Sequence, residues 1–283
     1  MAETTVPKQK NLADAFAKLQ PLPEVALRMM RLVNEPEVPF SRLAEAVRMD
    51  PAFSSELLQT VNSASMGCRA RIFSIQHALA LVGLEKLKSL ALTVAVRNFV
   101  AERIKIAALR RCWHHSVATA ALAEELAGVC RRPKDAAYTG GLLHDLGRLG
   151  LLVSFPVEYA HFLDEAQAGE VNVLEREREL FGADHCEAGQ MLAEKCKLPE
   201  PLQHIIRHHH DPEPPEPLDI EGLIELACRL SNVLGFPATG PGSQATFDEI
   251  KEAFSSYPWD ALHTGRDPMV TLRRRVTSFA MMF

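Results

Sequence analysis

The sequence contains no Cys-x-x-Cys pair; its six cysteines stand at positions 68, 112, 130, 186, 196 and 228. That spacing excludes a zinc ribbon and makes no disulfide framework in a chain of 283 residues. The cysteines therefore read mostly as small buried apolar residues. No apolar run approaches the roughly 18 residues of a membrane helix, and the start, MAETTVPKQKNLADAF, lacks the apolar core of a signal peptide. A cytoplasmic location without membrane contact is expected. Charge of one sign is not in excess: a net charge of -5 gives no global pull toward nucleic acid or acidic lipid. Sustained period-2 alternation between hairpin turns is absent, and so is any fixed-period repeat, which removes the sheet and solenoid classes.

What is present is helical. With 47% hydrophobic and 24% charged residues the chain has the composition of a globular protein. PEVALRMMRLV has helical spacing and stops near Asn34 and Pro36, and Ser41 is placed to cap SRLAEAVRM. Asp50-Pro51 ends that segment and opens PAFSSELLQTVNSASM, since proline at the first helical position lacks only an N–H that would go unpaired. Ser74 caps SIQHALALV, Gly83 breaks it, and LEKLKSLALTVAVRNFV follows. Longer helices come next: WHHSVATAALAEELAGVC, KDAAYTGGLLHDLGRLGLLV, PVEYAHFLDEAQ, NVLERERELF, HCEAGQMLAEKC and PEPLQHIIRHHH. The proline-rich DPEPPEPLD is a loop; IEGLIELACRLSNVL, DEIKEAF and a tail helix around RRRVTSFAMM complete an all-α chain.

One charge feature stands out. Between Arg69 and Arg111 the basic residues are Arg69, Arg71, Lys86, Lys88, Arg97, Arg103, Lys105, Arg110 and Arg111, against only Glu85 and Glu102. Such a strip suits a phosphate-bearing ligand or an acidic partner. No aromatic residues interleave to stack bases, so nucleic acid is not the expected partner.

Three consecutive stretches, LQPLPEVALRMMRLVNEPEV, LAEAVRMDPAFSSELLQTVNSASMG and IFSIQHALALVGLEKLKSLAL, resemble the HDOD domain in order and near-family spacing. The resemblance implies a multi-helix bundle in two lobes over 18–235, an N-terminal helical lobe (18–105) and an HD-like lobe (106–235), with 236–283 as a C-terminal helical extension. Read as residues alone, Asn62, Ser63 and Ser65 near a helix end cap and pack.

The second half carries four separated histidine elements: Trp113-His114-His115-Ser116, His144-Asp145 within GLLHDLGR, Asp184-His185-Cys186-Glu187-Ala188-Gly189, and Arg207-His208-His209-His210. Imidazole nitrogen and carboxylate oxygen suit Fe, Mn, Zn or Ni, and a helical bundle can aim them inward. Order and context resemble the HD superfamily of metal-dependent phosphohydrolases, of which HDOD proteins are a divergent branch. By that resemblance His115, the His144-Asp145 doublet, His185, and the pair His209-His210 are metal ligands. Arg148 takes the place of a lysine that faces phosphate in active relatives. His115, His144, Asp145 and His185 would hold one metal, with His209 and His210 contributing to a second. The sequence departs from the pattern twice: the GYP tripeptide is missing, and Cys228 in IELACRLSN stands where active enzymes place a last aspartate. A thiol is softer and must lose its proton to bind a metal, so the ligand set is short of one carboxylate.

Each element also has a structural reading. His209 and His210 lie near a helix C-terminus, where the dipole favours them; Asp184 caps the helix that His185 opens; His204 and His208, four apart, would meet on a surface. The expected function is a bacterial signal-transduction module, relaying between other signalling proteins on a degenerate phosphohydrolase scaffold that can still hold a metal. The alternative is an active metal-dependent phosphohydrolase acting on a nucleotide or cyclic dinucleotide.

Overall fold

The structure, a computed structural model, describes residues 12–18, 24–33, 35, 38–48, 51–63, 71–100, 107–168, 171–211, 218–239, 245–262, 273–274 and 276–277. They are helical, with no strand among the described residues. Six helices come first: α1 (Leu12–Lys18), α2 (Glu24–Val33), α3 (Phe40–Arg48), α4 (Pro51–Val61), α5 (Ile75–Val82) and α6 (Leu84–Val100). Proline opens α4, as its position after Asp50 predicts. Ser74 Oγ accepts the His77 amide at 3.1 Å and caps α5, and Gly83, at φ +81°, separates α5 from α6. Ser41 does not cap α3. The helix starts one residue earlier, because the Arg42 amide already bonds the Pro39 carbonyl at 3.0 Å.

Asn62 follows α4 and joins it to the segment before α5. Its Nδ2 donates to the Leu58 and Ile72 carbonyls at 2.7 Å each, while its Oδ1 accepts the Ile72 amide at 2.7 Å. This is the packing role its polarity near a helix end suggests; Ser65 lies outside the described residues.

The remaining helices are α7 (Ala107–Val129), α8 (Lys134–Leu143), α9 (Leu146–Ser154), α10 (Pro156–Ala168), α11 (Val173–Phe181), α12 (His185–Lys195), α13 (Glu200–His208), α14 (Ile220–Val233) and α15 (Phe247–Ala253). Buried α7 is the axis: α8 and α14 pack on it, α12 packs on α9 and α13, and α6 meets α8. At that last contact Thr93 Oγ1 donates to the Ser89 carbonyl at 2.8 Å, so the buried Tyr138 hydroxyl donates to Thr93 at 2.5 Å. Val276, from the tail, is buried in the same core.

KDAAYTGGLLHDLGRLGLLV, predicted as one helix, is two. The chain turns at His144-Asp145, with Asp145 at φ -95° and ψ 24°, the sparsely populated bridge region where active-site residues recur. The basic strip is largely paired. Lys86 meets Glu124 at 3.3 Å, Lys88 meets Glu85 at 3.2 Å, Arg97 pairs with Glu56 and Arg111 with Asp164. Arg69, Arg103 and Lys105 lie outside the described residues.

Candidate metal centre

Close backbone approach, made by glycine, assembles the centre. A Cβ on Gly141 would stand 2.9 Å from Ala120 Cα, so α8 lies directly against α7 and brings His144 toward His115. A Cβ on Gly147 would overlap the His185 carbonyl oxygen and sit 2.6 Å from the Gly189 amide nitrogen, so α9 touches α12 through backbone. Asp184 and Glu187 form a capping box that starts α12 at His185, as the Asp184-His185 order predicts. His209 follows the last turn of α13.

His115 and His144 face each other with Nε2 atoms 3.3 Å apart. His115 Nδ1 lies 2.8 Å from the Phe236 carbonyl and 2.9 Å from Ser231 Oγ, whose own proton goes to the Cys228 carbonyl at 2.8 Å. His144 Nδ1 lies 2.7 Å from the Gly141 carbonyl. A carbonyl only accepts, so both rings carry their proton on Nδ1 and leave the Nε2 lone pairs opposed. Burial holds both imidazoles below their ordinary range, so neither ring is charged. Cys228 Sγ completes the group 3.5 Å from His115 Nε2; burial pushes its thiol well up.

A second group adjoins the first through Asp145. Its Oδ1 is 3.5 Å from His185 Nε2 and 3.4 Å from His209 Nε2, while Oδ2 is 3.8 Å from His115 Nε2 and 3.7 Å from His144 Nε2. His209 donates from Nδ1 to the Ile206 carbonyl at 3.0 Å, and the His210 ring lies beside it with centroids 4.3 Å apart. His185 donates from Nδ1 to Glu177 Oε2 at 2.6 Å. Burial works against its charge, but the Glu177 carboxylate pushes the imidazole up to about 10. His209, equally buried, is raised by Cys186 and Asp145 to about 9. In Asp145 burial is outweighed by Arg148 and the imidazoles, which hold its carboxyl well below the carboxylate range.

These residues fit a metal. The two buried lone pairs of His115 and His144, pointed at each other, are groups that a cation satisfies, and the His185 and His209 Nε2 atoms, buried without a hydrogen-bond partner, would join a metal by giving up their proton. Two donor sets are formed: Asp145, His185, His209 and His210, and His115, His144 and Cys228. The sequence-based division, with His185 beside His115 and His144, is thus revised: His185 belongs with His209 and His210. Each set could polarise an oxygen ligand or acidify a bound water.

Arg148 points inward. Its Nε is 3.0 Å from Asp145 Oδ1 and its guanidinium 3.5 Å from Glu177 Oε1, and the residue is 5% exposed. Glu177, fully buried, also accepts the Tyr159 hydroxyl at 2.5 Å and the His185 amide at 2.8 Å. The sequence reading missed it. The signal was there: Val173, Glu177 and Phe181 recur every four residues, which puts a carboxylate on the apolar face of α11.

His204 and His208 sit apart from the cluster, rings 4.4 Å apart on α13, paired with Glu221 at 3.3 Å and Asp211 at 2.9 Å. A cavity of about 160 Å³ opens beside them and reaches His209, rimmed by the carboxylates of Asp211, Glu221 and Glu225.

A helical bundle that gathers imidazoles from separate helices around a buried His-Asp doublet has the architecture of the HD class. The chain belongs to the HDOD domain family, whose model matches residues 19–212. An uncharacterized protein of Treponema pallidum (strain Nichols) is 31% identical over 218 residues, 73% of this chain; the chain spans 40% of that relative's length. Among solved structures, a protein of Marinobacter aquaeolei VT8 provisionally named for signal transduction superposes with a TM-score of 0.74 at 22% identity, covering 99% of this chain and 62% of that one. A provisionally named phosphohydrolase of Shewanella amazonensis SB2B gives 0.69 at 22% identity, over 96% of both chains. At this identity the likeness is one of fold.

Proposed function

We propose that this chain is a bacterial signal-transduction module in which the HD scaffold serves as a metal-holding binding and relay element rather than a hydrolase. One observation carries the reading. Arg148, the side chain available to steady a phosphoryl group, is already neutralised inside the protein by Asp145 and Glu177. Hydrolysis needs a basic group free to meet the developing charge and an open metal position for water. Here His115, His144, Asp145, His185 and His209 are each no more than 6% exposed, and His210 alone of the two donor sets is exposed. The module would act through other signalling proteins, and a phosphate-bearing small ligand would meet it elsewhere, along the basic strip.

The alternative, turnover of a nucleotide or cyclic dinucleotide, draws on the place of Asp145, with one oxygen toward His185 and His209 and the other toward His115 and His144, the arrangement a two-metal clamp would use. The purified chain, loaded with Mn, Fe, Zn or Ni, should hydrolyse neither cyclic dinucleotides nor a chromogenic phosphodiester above the level of His144→Ala. Turnover by the unmodified chain that disappears in His144→Ala would establish the hydrolase instead.

A further inference from the structure

We propose that Cys228 is a metal ligand in its own right and makes the His115–His144 half of the centre a thiolate site selective for zinc-like cations over manganese or magnesium. This rests on the metal-holding part of the function proposed above and names the ion that the scaffold accepts.

The argument is geometric. Four-coordinate zinc, with bonds of about 2.05 Å to nitrogen and about 2.3 Å to sulfur, has polyhedron edges of about 3.3 Å between nitrogens and about 3.6 Å between nitrogen and sulfur. The His115 and His144 Nε2 atoms are 3.3 Å apart, and Cys228 Sγ is 3.5 Å from His115 Nε2. Two edges of such a coordination sphere are thus already in place, both meeting at His115, and the three donor atoms all lie within 4.8 Å of one another. Asp145 Oδ2, at 3.8 and 3.7 Å from the two nitrogens, lies about half an ångström beyond the fourth corner. One thiolate and one carboxylate then balance a divalent charge.

The helix that supplies the sulfur also prepares the nitrogen. Ser231, one turn beyond Cys228 on α14, donates to the Cys228 carbonyl and accepts from His115 Nδ1, fixing the tautomer that turns the Nε2 lone pair toward the sulfur. A hard cation gains little from this set, because it prefers oxygen donors and water; a borderline-soft one gains from both sulfur and imidazole. In place of the last carboxylate of a hydrolytic centre, the cysteine changes which ion the half-site takes.

Cobalt(II) tests the assignment without any assay of activity. The chelator-treated full chain is titrated with cobalt and followed by absorption. The expected result is a near-ultraviolet sulfur-to-cobalt charge-transfer band with intense visible bands of tetrahedral cobalt, displaced by zinc and left unchanged by manganese. Cys228→Ser should lose the charge-transfer band, whereas Cys186→Ser, removing the other nearby sulfur, should keep it. Cys228→Asp, which restores an oxygen donor, should lower the preference for zinc over manganese by on the order of tenfold or more; circular dichroism confirms that each variant is folded. Cobalt bound without the band, or a band that survives Cys228→Ser, overturns the thiolate assignment and leaves the metal-holding reading intact. A chain that binds no cation overturns both.

Discussion

Glu177 Oε2 lies 2.6 Å from His185 Nδ1, and the same side chain meets Tyr159 and Arg148 through Oε1. This one buried carboxylate orients the His185 imidazole, holds a proton on its Nδ1 and compensates a buried guanidinium. Outer groups of this kind tune metal sites as strongly as many direct ligands.

Glu177→Gln removes the charge but keeps the shape. Its amide turns an N–H either toward the two His185 donors or toward Arg148, which cannot accept it. Affinity for zinc or cobalt should fall by about 10- to 100-fold, measured by competition with a chromophoric chelator. Unchanged affinity would remove the His185 group from the metal centre.

Arg148 divides structure from chemistry. Arg148→Met leaves Asp145 and Glu177 buried together without their guanidinium. Urea unfolding should show a loss of about 3–5 kcal/mol, the cost of breaking a buried ion pair from one side. Unaltered stability together with weaker binding of a phosphate-bearing ligand would instead assign Arg148 to the ligand.

The glycines against α12 should respond unequally. In Gly147→Ala the new methyl group meets backbone, the His185 carbonyl and the Gly189 amide, which cannot step aside without separating α9 from α12. In Gly150→Ala it meets the end of the Leu192 side chain, which has other rotamers. The first should cost about 3 kcal/mol or more and the second about 1 kcal/mol, read from thermal and denaturant unfolding. Equal effects would contradict the backbone contact.

Asn62, whose side chain bonds only Leu58 and Ile72 backbone, is a structural test outside both donor sets. Asn62→Ala strips partners from the Ile72 amide and carbonyl, and should destabilise the chain by about 1–3 kcal/mol. Metal affinity should stay unchanged. A change in affinity without a loss of stability would reassign the residue to binding.

Helix positions were legible because their signals are local. Ser74, Gly83, Pro51 and Asp184 act on the backbone within three residues of themselves, so they stood in the sequence as they stand in the fold. The break at His144-Asp145 was not legible. Leu142, Leu143, Leu146 and Leu149 keep helical spacing across it, so apolar periodicity runs through a turn that packing against α7 and α12 imposes. The donors were legible as a set through their residue types and order, but their grouping was not. His185 goes with His209 because α12, which carries the one, packs against α13, which ends at the other.

By itself, the order of residues determined the helical class, the likeness to HDOD proteins and the list of groups able to hold a metal. Tertiary structure alone decided how those groups are used: that Arg148 turns inward, that Glu177 stands behind His185, and that the sulfur of Cys228 faces His115. The reason is the range of the forces. Helix formation and capping act across a few residues, whereas a tautomer or an ion pair depends on whatever the fold delivers. For His115 that is the Phe236 carbonyl, 121 residues further along the chain.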